Sequence, residues 1–482
     1  MAGYMTSAVV SAHLDAAAAA HPAVCVRSGA SDWAAGRAGG KSGYVKVGAA
    51  VTGSPPQRSA VLLIGGVHAR ELAPPDALVS FVEKLLTGYA AGTPVSYPAW
   101  TDPVSGIVYD SFLIPWPWVK NVVERLDLYI APLVNDDGRD FVLAPLGAGA
   151  SHADQALHKG WRKNRRTAPA GVTDPHGAGV DINRNFDIVW NFTKFYDMSL
   201  PNVAVHSSTD PVSDSFIGDL AESEPETRNV AGLMRNKGVS WFIDFHAFGR
   251  DVLFSWGIES NQDKDATKNF ANPDWDGKRD GIANPGYKEY IPTVDAITGE
   301  GMARRISDIV LAKAGGADPR AQARSRYTVK QSADFYVATG TTQDFCFSRW
   351  FTAATAGHPI PTVMAFTIEA GGDPKLGADH DEGGFTPDYV QHFPKLEREI
   401  HVAAWAFLSA VASMKAPSPS TPDPPAAQPP PAGASGGSGC LMMLVSCLLL
   451  IGAAAAAILG ATGLGALLGG GALAGYLARR RA

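Results

Sequence analysis

The feature that most constrains the fold is an apolar run, Val61–Ile64, which ends at two glycines and is followed at once by His68 and Glu71. A short run that is apolar at every position predicts a strand buried on both faces, as in a parallel sheet covered by helices. In open α/β sheets the functional groups usually follow the carboxyl ends of the strands. We therefore expect His68 and Glu71 to leave the end of a central strand together.

His68 and Glu71 are three residues apart, and such a pair can offer one nitrogen and one carboxylate oxygen to a zinc ion. The pair alone is weak evidence for a metal site. In a chain with 12 histidines, about 0.5 pairs with this spacing are expected by chance. A hydrolytic metal site also needs a third ligand, a base and a group that holds the substrate.

Three further apolar runs predict strands. They are Leu126–Val134, Val239–Phe245 and Pro361–Ile368, and the last two are followed directly by His246 and Glu369. Strands that alternate with helices predict one large α/β domain, residues 1–415, with a central mixed, mostly parallel, twisted sheet flanked by helices.

Helices are predicted by periodic apolar positions and by their end signals. They are a surface helix before Pro22, Glu222–Lys237 with Ser223 as its cap, Met302–Ala314 and Tyr389–Met414. Gln331–Phe347 has the small-residue and threonine-rich composition of a loop that lines a pocket. The first strands come early in the chain, so we expect no inhibitory prosegment before the domain.

Composition excludes some classes of protein. The formal net charge of -6 argues against a nucleic-acid partner. Two of the four cysteines, Cys440 and Cys447, lie in a hydrophobic tail. Cys25 and Cys346 could therefore form one disulfide at most, which excludes a disulfide framework.

The C-terminal part differs sharply from the rest. Residues 416–439 are rich in Pro, Gly and Ser and predict a linker, and residues 440–478 are apolar and uncharged before a basic tail at 479–482. The apolar segment predicts a membrane anchor, as a tilted single span or a hairpin, or else a processed sorting signal. The sequence leaves these alternatives open, together with the side of the membrane on which the domain lies.

Four motifs carry these residues, and they follow one another along the chain. They are HARE with His68 and Glu71, GVDINRNF with Asn183 and Arg184, IDFHAF with His246, and FTIE with Glu369. Together they resemble the zinc carboxypeptidase family, the funnelins, and the resemblance runs from about Tyr4 to about Met414. It implies the family's fold and one Zn²⁺ per chain.

The resemblance also implies a role for each residue that matches a family motif. The metal ligands are His68, Glu71 and His246, Asp181 orients His68, Glu369 is the general base, Arg162 stabilises the oxyanion, Asn183 and Arg184 bind the C-terminal carboxylate of the substrate, and Tyr336 closes over it. By the same resemblance, Gln343 is expected at the base of the side-chain pocket, with Ala338 and Thr367 on its wall. Gln343 is a neutral amide, so it neither pairs with a basic side chain as Asp does nor suits a large apolar one.

These residues predict a metallocarboxypeptidase that hydrolyses the C-terminal peptide bond of peptides or proteins through a zinc-activated water and Glu369. The catalytic domain is expected to be monomeric. One alternative is a zinc amidase for a specialised amide, such as a peptidoglycan stem peptide or an acyl amino acid. The other is an inactive binding module tethered by its tail, and such a module would be marked by loss of a ligand or of the base, neither of which is lost here.

Overall fold

An eight-stranded sheet forms the centre of the computed structural model, in the order β1-β2-β8-β3-β9-β14-β10-β13. The structure describes residues 3–29, 32–49, 58–147, 149–201, 203–281, 286–355, 363–372 and 382–414, all within the unit Met1–Pro422. The strands are β1 Cys25–Arg27, β2 Val45–Val47, β3 Ser59–Gly65, β4 Val95–Tyr97, β5 Trp100–Thr101, β6 Val108–Tyr109, β7 Phe112–Ile114, β8 Leu126–Ala131, β9 Val239–Ala247, β10 Asp251–Phe254, β11 Asn261–Gln262, β12 Glu289–Tyr290, β13 Thr328–Gln331 and β14 Met364–Ala370.

Helices connect and flank these strands. They are α1 Ser7–Ala20, α2 Ala73–Ala91, α3 Trp116–Arg125, α4 Asp136–Leu143, α5 His152–Gly160, α6 Phe192–Phe195, α7 Pro225–Asn236, α8 Thr293–Ala314, α9 Pro319–Arg324, α10 Ser332–Phe335, α11 Thr342–Thr355 and α12 Phe393–Ser413. Short 3₁₀ turns occupy Pro175–Gly177, Ile182–Arg184 and Pro273–Trp275.

The four central strands, β8, β3, β9 and β14, are parallel, and antiparallel pairings occur towards both edges. All seven residues of β3 are buried, as the continuous apolar run predicts. The predicted mixed sheet with flanking helices is therefore confirmed.

The register brings the functional ends of three strands together. Glu369 of β14 pairs with His246 of β9, and Phe245 of β9 pairs with Gly65, the last residue of β3. The turn that carries His68 and Glu71 starts directly after β3. The candidate residues therefore meet at one edge of the sheet, although they are far apart in the chain.

Several predicted elements differ in the structure. Gln331–Phe347 is not a continuous loop, because it contains α10 and the start of α11. The side chain of Thr341 accepts the N–H of Asp344 at 3.2 Å, and this bond supports the first turn of α11. Ser223 is not a helix cap either, because α7 begins at Pro225 and the Ser223 hydroxyl donates to Glu224.

The remaining structural expectations concern cysteines and the tail. Cys25 and Cys346 are both buried and free, so the disulfide that the sequence allowed is absent. None of the helices in the described part of the chain combines the length and the apolar character that a membrane span requires. The predicted linker, apolar segment and basic tail, residues 416–482, lie outside the described residues.

Candidate metal centre and active site

His68, Glu71 and His246 converge at the carboxyl edge of the sheet. His68 Nδ1 lies 2.6 Å from Glu71 Oε1, and His246 Nδ1 lies 3.0 Å from Glu71 Oε2 and 3.1 Å from His68 Nδ1. All three side chains are buried, and one ligand atom from each lies within 4.8 Å of the others. Two imidazole nitrogens and one carboxylate therefore face a single small space.

Each histidine ring has a carboxylate on its far side. His68 Nε2 lies 3.3 Å from Asp181 Oδ1, and His246 Nε2 lies 2.8 Å from Asp244 Oδ2. A histidine that donates from Nε2 carries its lone pair on Nδ1. Both Nδ1 atoms are therefore presented as metal ligands.

Opposite charges outweigh burial in setting the pKa values of this cluster. Burial disfavours the charged form of Glu71, but His68 and His246 hold its pKa below 4.5. Burial also opposes ionisation of Asp181, yet Arg162, Arg184 and His68 keep its pKa well below 3.8. Carboxylates that stay ionised are suited to hold a cation and to orient imidazole rings.

The donor set fits one zinc ion. Zinc commonly binds imidazole nitrogen and carboxylate oxygen, and three protein ligands leave a fourth position open in catalytic sites. Calcium and magnesium prefer oxygen ligands alone, so two histidines favour zinc over them. Within the described part of the chain this is the one group of His, Cys, Asp and Glu side chains arranged to hold a metal.

Glu369 lies beside the metal-ligand set at the end of β14. Its backbone is in register with His246 on one side and with Asp251 on the other, and only 7% of the residue is exposed. Burial raises the pKa of Glu369 to about 8; His246 lowers it, while Glu71 and Asp251 raise it further. A carboxyl group that titrates near neutral pH can both accept and return a proton.

Arg162 shares a carboxylate with His68. Its Nε donates to Asp181 Oδ2 at 3.0 Å, and 11% of its side chain is exposed. Burial disfavours the cation, but Asp181 raises the pKa of Arg162 above its ordinary value. Asp181 therefore orients a metal ligand and a permanent cation at the same time.

Asn183 and Arg184 follow Asp181 directly in the 3₁₀ turn. The Asn183 N–H donates to Asp181 Oδ1 at 2.9 Å, and Asn183 Nδ2 lies 3.4 Å from His246 Nε2. Arg184 is buried, and it donates from Nε to His206 O and from Nη1 to Asn183 O, both at 2.6 Å. An amide and a guanidinium are thereby fixed next to the metal ligands.

The ring of Tyr336 lies against the Arg184 guanidinium. Its ring centre is 5.5 Å from the Arg184 guanidinium and 4.9 Å from the ring of His206. The residue is partly buried, and it follows α10, whose last residue Phe335 has its ring centre 4.8 Å away and tilted by 38°. Tyr336 is therefore placed where it can cover a ligand bound at Arg184.

Gln343 lies in the first turn of α11 and bonds to two serine hydroxyls. Ser332 Oγ donates to Gln343 Oε1 at 3.1 Å, and Gln343 Nε2 donates to Ser255 Oγ at 3.2 Å. Thr367 comes two residues before Glu369 on β14 and therefore faces the same side of the sheet. Ala338 is buried in the segment before α11, where its N–H donates to Gly257 O at 3.1 Å.

The family model described as zinc carboxypeptidase matches residues 11–394. The matched region contains the ligand set, Glu369 and the Asn183–Arg184 pair. The chain belongs to the zinc carboxypeptidase family. Members of the family are zinc hydrolases, which agrees with the donor set described above.

Relatives of this zinc carboxypeptidase family member are distant. The chain is 24% identical to carboxypeptidase B of Helicoverpa zea over 226 residues, 46% of this chain and 40% of the relative. It is 25% identical to mast cell carboxypeptidase A of Homo sapiens over 206 residues, 42% of this chain and 37% of the relative. The matched regions therefore span less than half the length of these relatives.

Solved structures share the family fold. Bovine thrombin-activatable fibrinolysis inhibitor has a TM-score of 0.54 at 19% identity, covering 85% of this chain and 97% of that one. Carboxypeptidase A of Helicoverpa armigera has a TM-score of 0.52 at 18% identity, covering 84% of this chain and 74% of that one. At these identities the likeness shows the fold alone.

The structure brings most of the predicted site residues to one edge of the sheet. These are His68, Glu71, Arg162, Asp181, Asn183, Arg184, His246, Tyr336 and Glu369, with Ala338, Gln343 and Thr367 on the neighbouring segments. Sequence reasoning missed Asp244, Ser255, Ser332, His206 and Thr342. Asp244 had a signal, because it precedes His246 by two residues in a predicted strand and must share its face.

Proposed function

We propose that this chain is a zinc-dependent carboxypeptidase that removes single residues from the C-termini of peptides or proteins. The observation that carries the proposal is that a three-ligand metal set, a buried carboxyl group and an amide–guanidinium pair lie together at one edge of the sheet. His68, Glu71 and His246 would hold one zinc ion. When bound there, zinc supplies a Lewis acid and lowers the pKa of water.

Glu369 is the proton carrier in this proposal. Its carboxyl group is buried next to His246, where a carboxylate can take a proton from water and give it to the leaving amine. Burial also excludes bulk water, which strengthens its interaction with charges in the site.

Arg162 is the proposed oxyanion donor. Asp181 fixes the guanidinium through Nε, so the remaining N–H groups keep a constant direction. Groups oriented in advance towards developing negative charge contribute strongly to catalysis, and loss of one such donor costs about 3 to 4 kcal/mol in comparable sites.

Asn183 and Arg184 are the proposed recognition site for a free C-terminal carboxylate. A guanidinium can pair with two carboxylate oxygens at once, and the Asn183 amide adds a neutral donor. Because this cation lies next to the metal ligands, the scissile bond is the one closest to the chain end. Tyr336 covers the bound residue from the side of Arg184.

The exopeptidase claim can be tested with two versions of one peptide. Purified, zinc-loaded chain is incubated with a peptide that has a free C-terminus and with its C-terminally amidated form, and the products are read by mass spectrometry. We expect release of the last residue from the free form and at least about tenfold slower release from the amide, because the amide cannot form an ion pair with Arg184.

The matched variant is Arg184→Gln, which should slow cleavage of the free peptide and remove the preference over the amide. Equal cleavage of both forms by the wild-type chain would contradict terminal carboxylate recognition. That result would instead favour a zinc amidase that acts on a specialised amide.

A further inference from the structure

Asp244 and His246 form a second carboxylate–histidine pair behind the metal site. Both lie on β9, two residues apart, and both are buried. His246 Nε2 lies 2.8 Å from Asp244 Oδ2. The other carboxylate oxygen, Asp244 Oδ1, is buried without a hydrogen-bond partner among the described residues. The orientation of the Asp244 carboxylate therefore depends on any further group that bonds to Oδ2.

Thr342, the first residue of α11, is the group that binds it. Thr342 Oγ1 donates to Asp244 Oδ2 at 2.6 Å, while Asn183 Oδ1 is farther from the same hydroxyl at 3.3 Å. A hydroxyl has one proton, and a charged acceptor at the shorter distance takes it. The hydroxyl of Thr342 therefore fixes Asp244, and Asp244 fixes the ring of His246.

The backbone N–H of Thr342 has a separate partner. It donates to Asn183 Oδ1 at 2.8 Å. A backbone N–H can only donate, so this bond sets which end of the Asn183 amide is oxygen. Nδ2 must then face His246 Nε2, which donates to Asp244 and cannot accept. The hydrogens of Nδ2 are therefore not used by His246.

We propose that Thr342 is a positioning residue that connects the metal site with the substrate-binding amide. Its hydroxyl holds His246 through Asp244, and its N–H holds Asn183 with Nδ2 on the side of His246. This inference uses the proposed function only in taking His68, Glu71 and His246 as the zinc site. Zinc affinity can be measured without any turnover, so the two proposals can fail separately.

The hydroxyl is tested by zinc affinity of the full chain, measured by competition with a chromogenic chelator. The variants are Asp244→Asn, Thr342→Val, Thr342→Ala, Thr342→Ser and the double variant of Asp244→Asn with Thr342→Val. The matched control is Thr339→Val, because Thr339 is also buried and its hydroxyl bonds to Ser207 at 2.9 Å, outside the Asp244 network. The absorption spectrum of the cobalt-loaded chain reports the ligand geometry independently.

Asp244→Asn should weaken zinc binding about 10- to 100-fold, as loss of an orienting carboxylate does in other metal sites. Thr342→Val and Thr342→Ala should each weaken it by about three- to tenfold and shift the cobalt spectrum, with Thr342→Ser near wild type. In the Asp244→Asn background Thr342→Val should add almost nothing, because it acts through Asp244. Thr339→Val should keep the wild-type affinity.

Two results would overturn the inference. One is a Thr342→Val chain that binds zinc as tightly as Thr339→Val, and the other is a loss of the same size with and without Asp244. A wild-type chain that binds zinc but releases no C-terminal residue would defeat the proposed function and leave this inference intact.

The N–H of Thr342 is tested with proline, which removes it and is accepted at the first position of a helix. At saturating zinc, Thr342→Pro should have a KM for a free C-terminal peptide about three- to tenfold above that of Thr342→Val, which keeps the N–H. Equal KM values for the two variants would contradict the role given to the N–H.

Discussion

At the residue scale, Glu369 is the side chain on which the proposed reaction depends most. It is buried beside His246 and is not among the three ligands. Glu369→Gln keeps the shape of the side chain but cannot accept a proton, so we expect kcat to fall by about 10²- to 10⁴-fold. Zinc content, measured by elemental analysis, should stay at one ion per chain.

Glu300→Gln is the matched control, because Glu300 is exposed and pairs with Arg304 on α8. It should leave kcat near that of the wild type. If Glu369→Gln retained more than about a tenth of wild-type kcat with a full complement of zinc, another group would have to carry the proton.

Gln343 gives a prediction about specificity. Its amide is bound by Ser332 and Ser255, so the expected pocket floor is neutral and polar. We predict that Gln343→Asp raises kcat/KM for peptides ending in Arg or Lys by about tenfold or more relative to those ending in Gln, because a carboxylate pairs with a basic side chain. A peptide library that varies only the last residue measures this directly.

Gln343→Asn is the companion variant, since it is shorter without adding charge. It should not create a preference for basic residues. An unchanged preference in Gln343→Asp would mean that this residue does not face the substrate side chain.

Residue roles divide into those that sequence could predict and those that it could not. His68, Glu71, His246 and Glu369 stand directly after apolar strand runs, so local pattern predicts their meeting. Thr342 contacts Asp244 only because α11 begins beside β9, and no local pattern specifies that approach. Contacts between distant segments depend on how elements pack, which a single sequence does not display.

At the element scale, α12 contains a buried histidine that should make stability depend on pH. His401 Nε2 lies 2.6 Å from Ala77 O, and Nδ1 lies 3.0 Å from the Tyr97 hydroxyl, so α12 is tied to α2 and β4. Burial lowers the pKa of His401 from 6.5 to about 4, against the opposing effects of Glu397 and Ala77 O. The folded chain therefore keeps this histidine neutral in a range where the unfolded chain protonates it.

The direction of this pH dependence follows from the number of protons that each state binds. Between pH 6.5 and about 4 the unfolded state binds more protons at this residue, so the free energy of unfolding should fall as pH falls, by about 3 kcal/mol in total. Denaturant unfolding of His401→Gln should show a flatter dependence over that range. The exposed His152→Gln is the control, and a slope as steep in His401→Gln as in His152→Gln would exclude His401 as the cause.

The central strands could be predicted because burial on both faces requires an uninterrupted apolar run. Strands β1 and β2, at one side of the sheet, are three residues long, too short to leave such a pattern. The segment between α2 and α3 has the Pro and Gly content typical of surface loops, but it forms β4–β7 and buries Tyr97 and Tyr109. Its aromatic side chains pack on other elements, and local composition does not show that.

At the scale of the whole molecule, the apolar segment at residues 440–478 remains a prediction of the sequence, because it lies outside the described residues. We expect the full chain to sediment with phosphatidylcholine vesicles, since a long uncharged apolar segment partitions into a bilayer. A variant that lacks residues 441–477 but keeps the linker and the basic tail is the control. Equal sedimentation of both chains would contradict membrane anchoring by this segment.

The catalytic role of the whole molecule is tested most directly by incubating the purified, zinc-loaded chain with a mixed peptide library and reading the products by mass spectrometry. The library is examined before chelator treatment, after it, and after zinc is restored. We predict stepwise loss of single C-terminal residues that stops with chelator and returns with zinc. A folded, zinc-loaded chain that leaves every peptide intact, or trims equally well without metal, would contradict the proposed zinc carboxypeptidase activity.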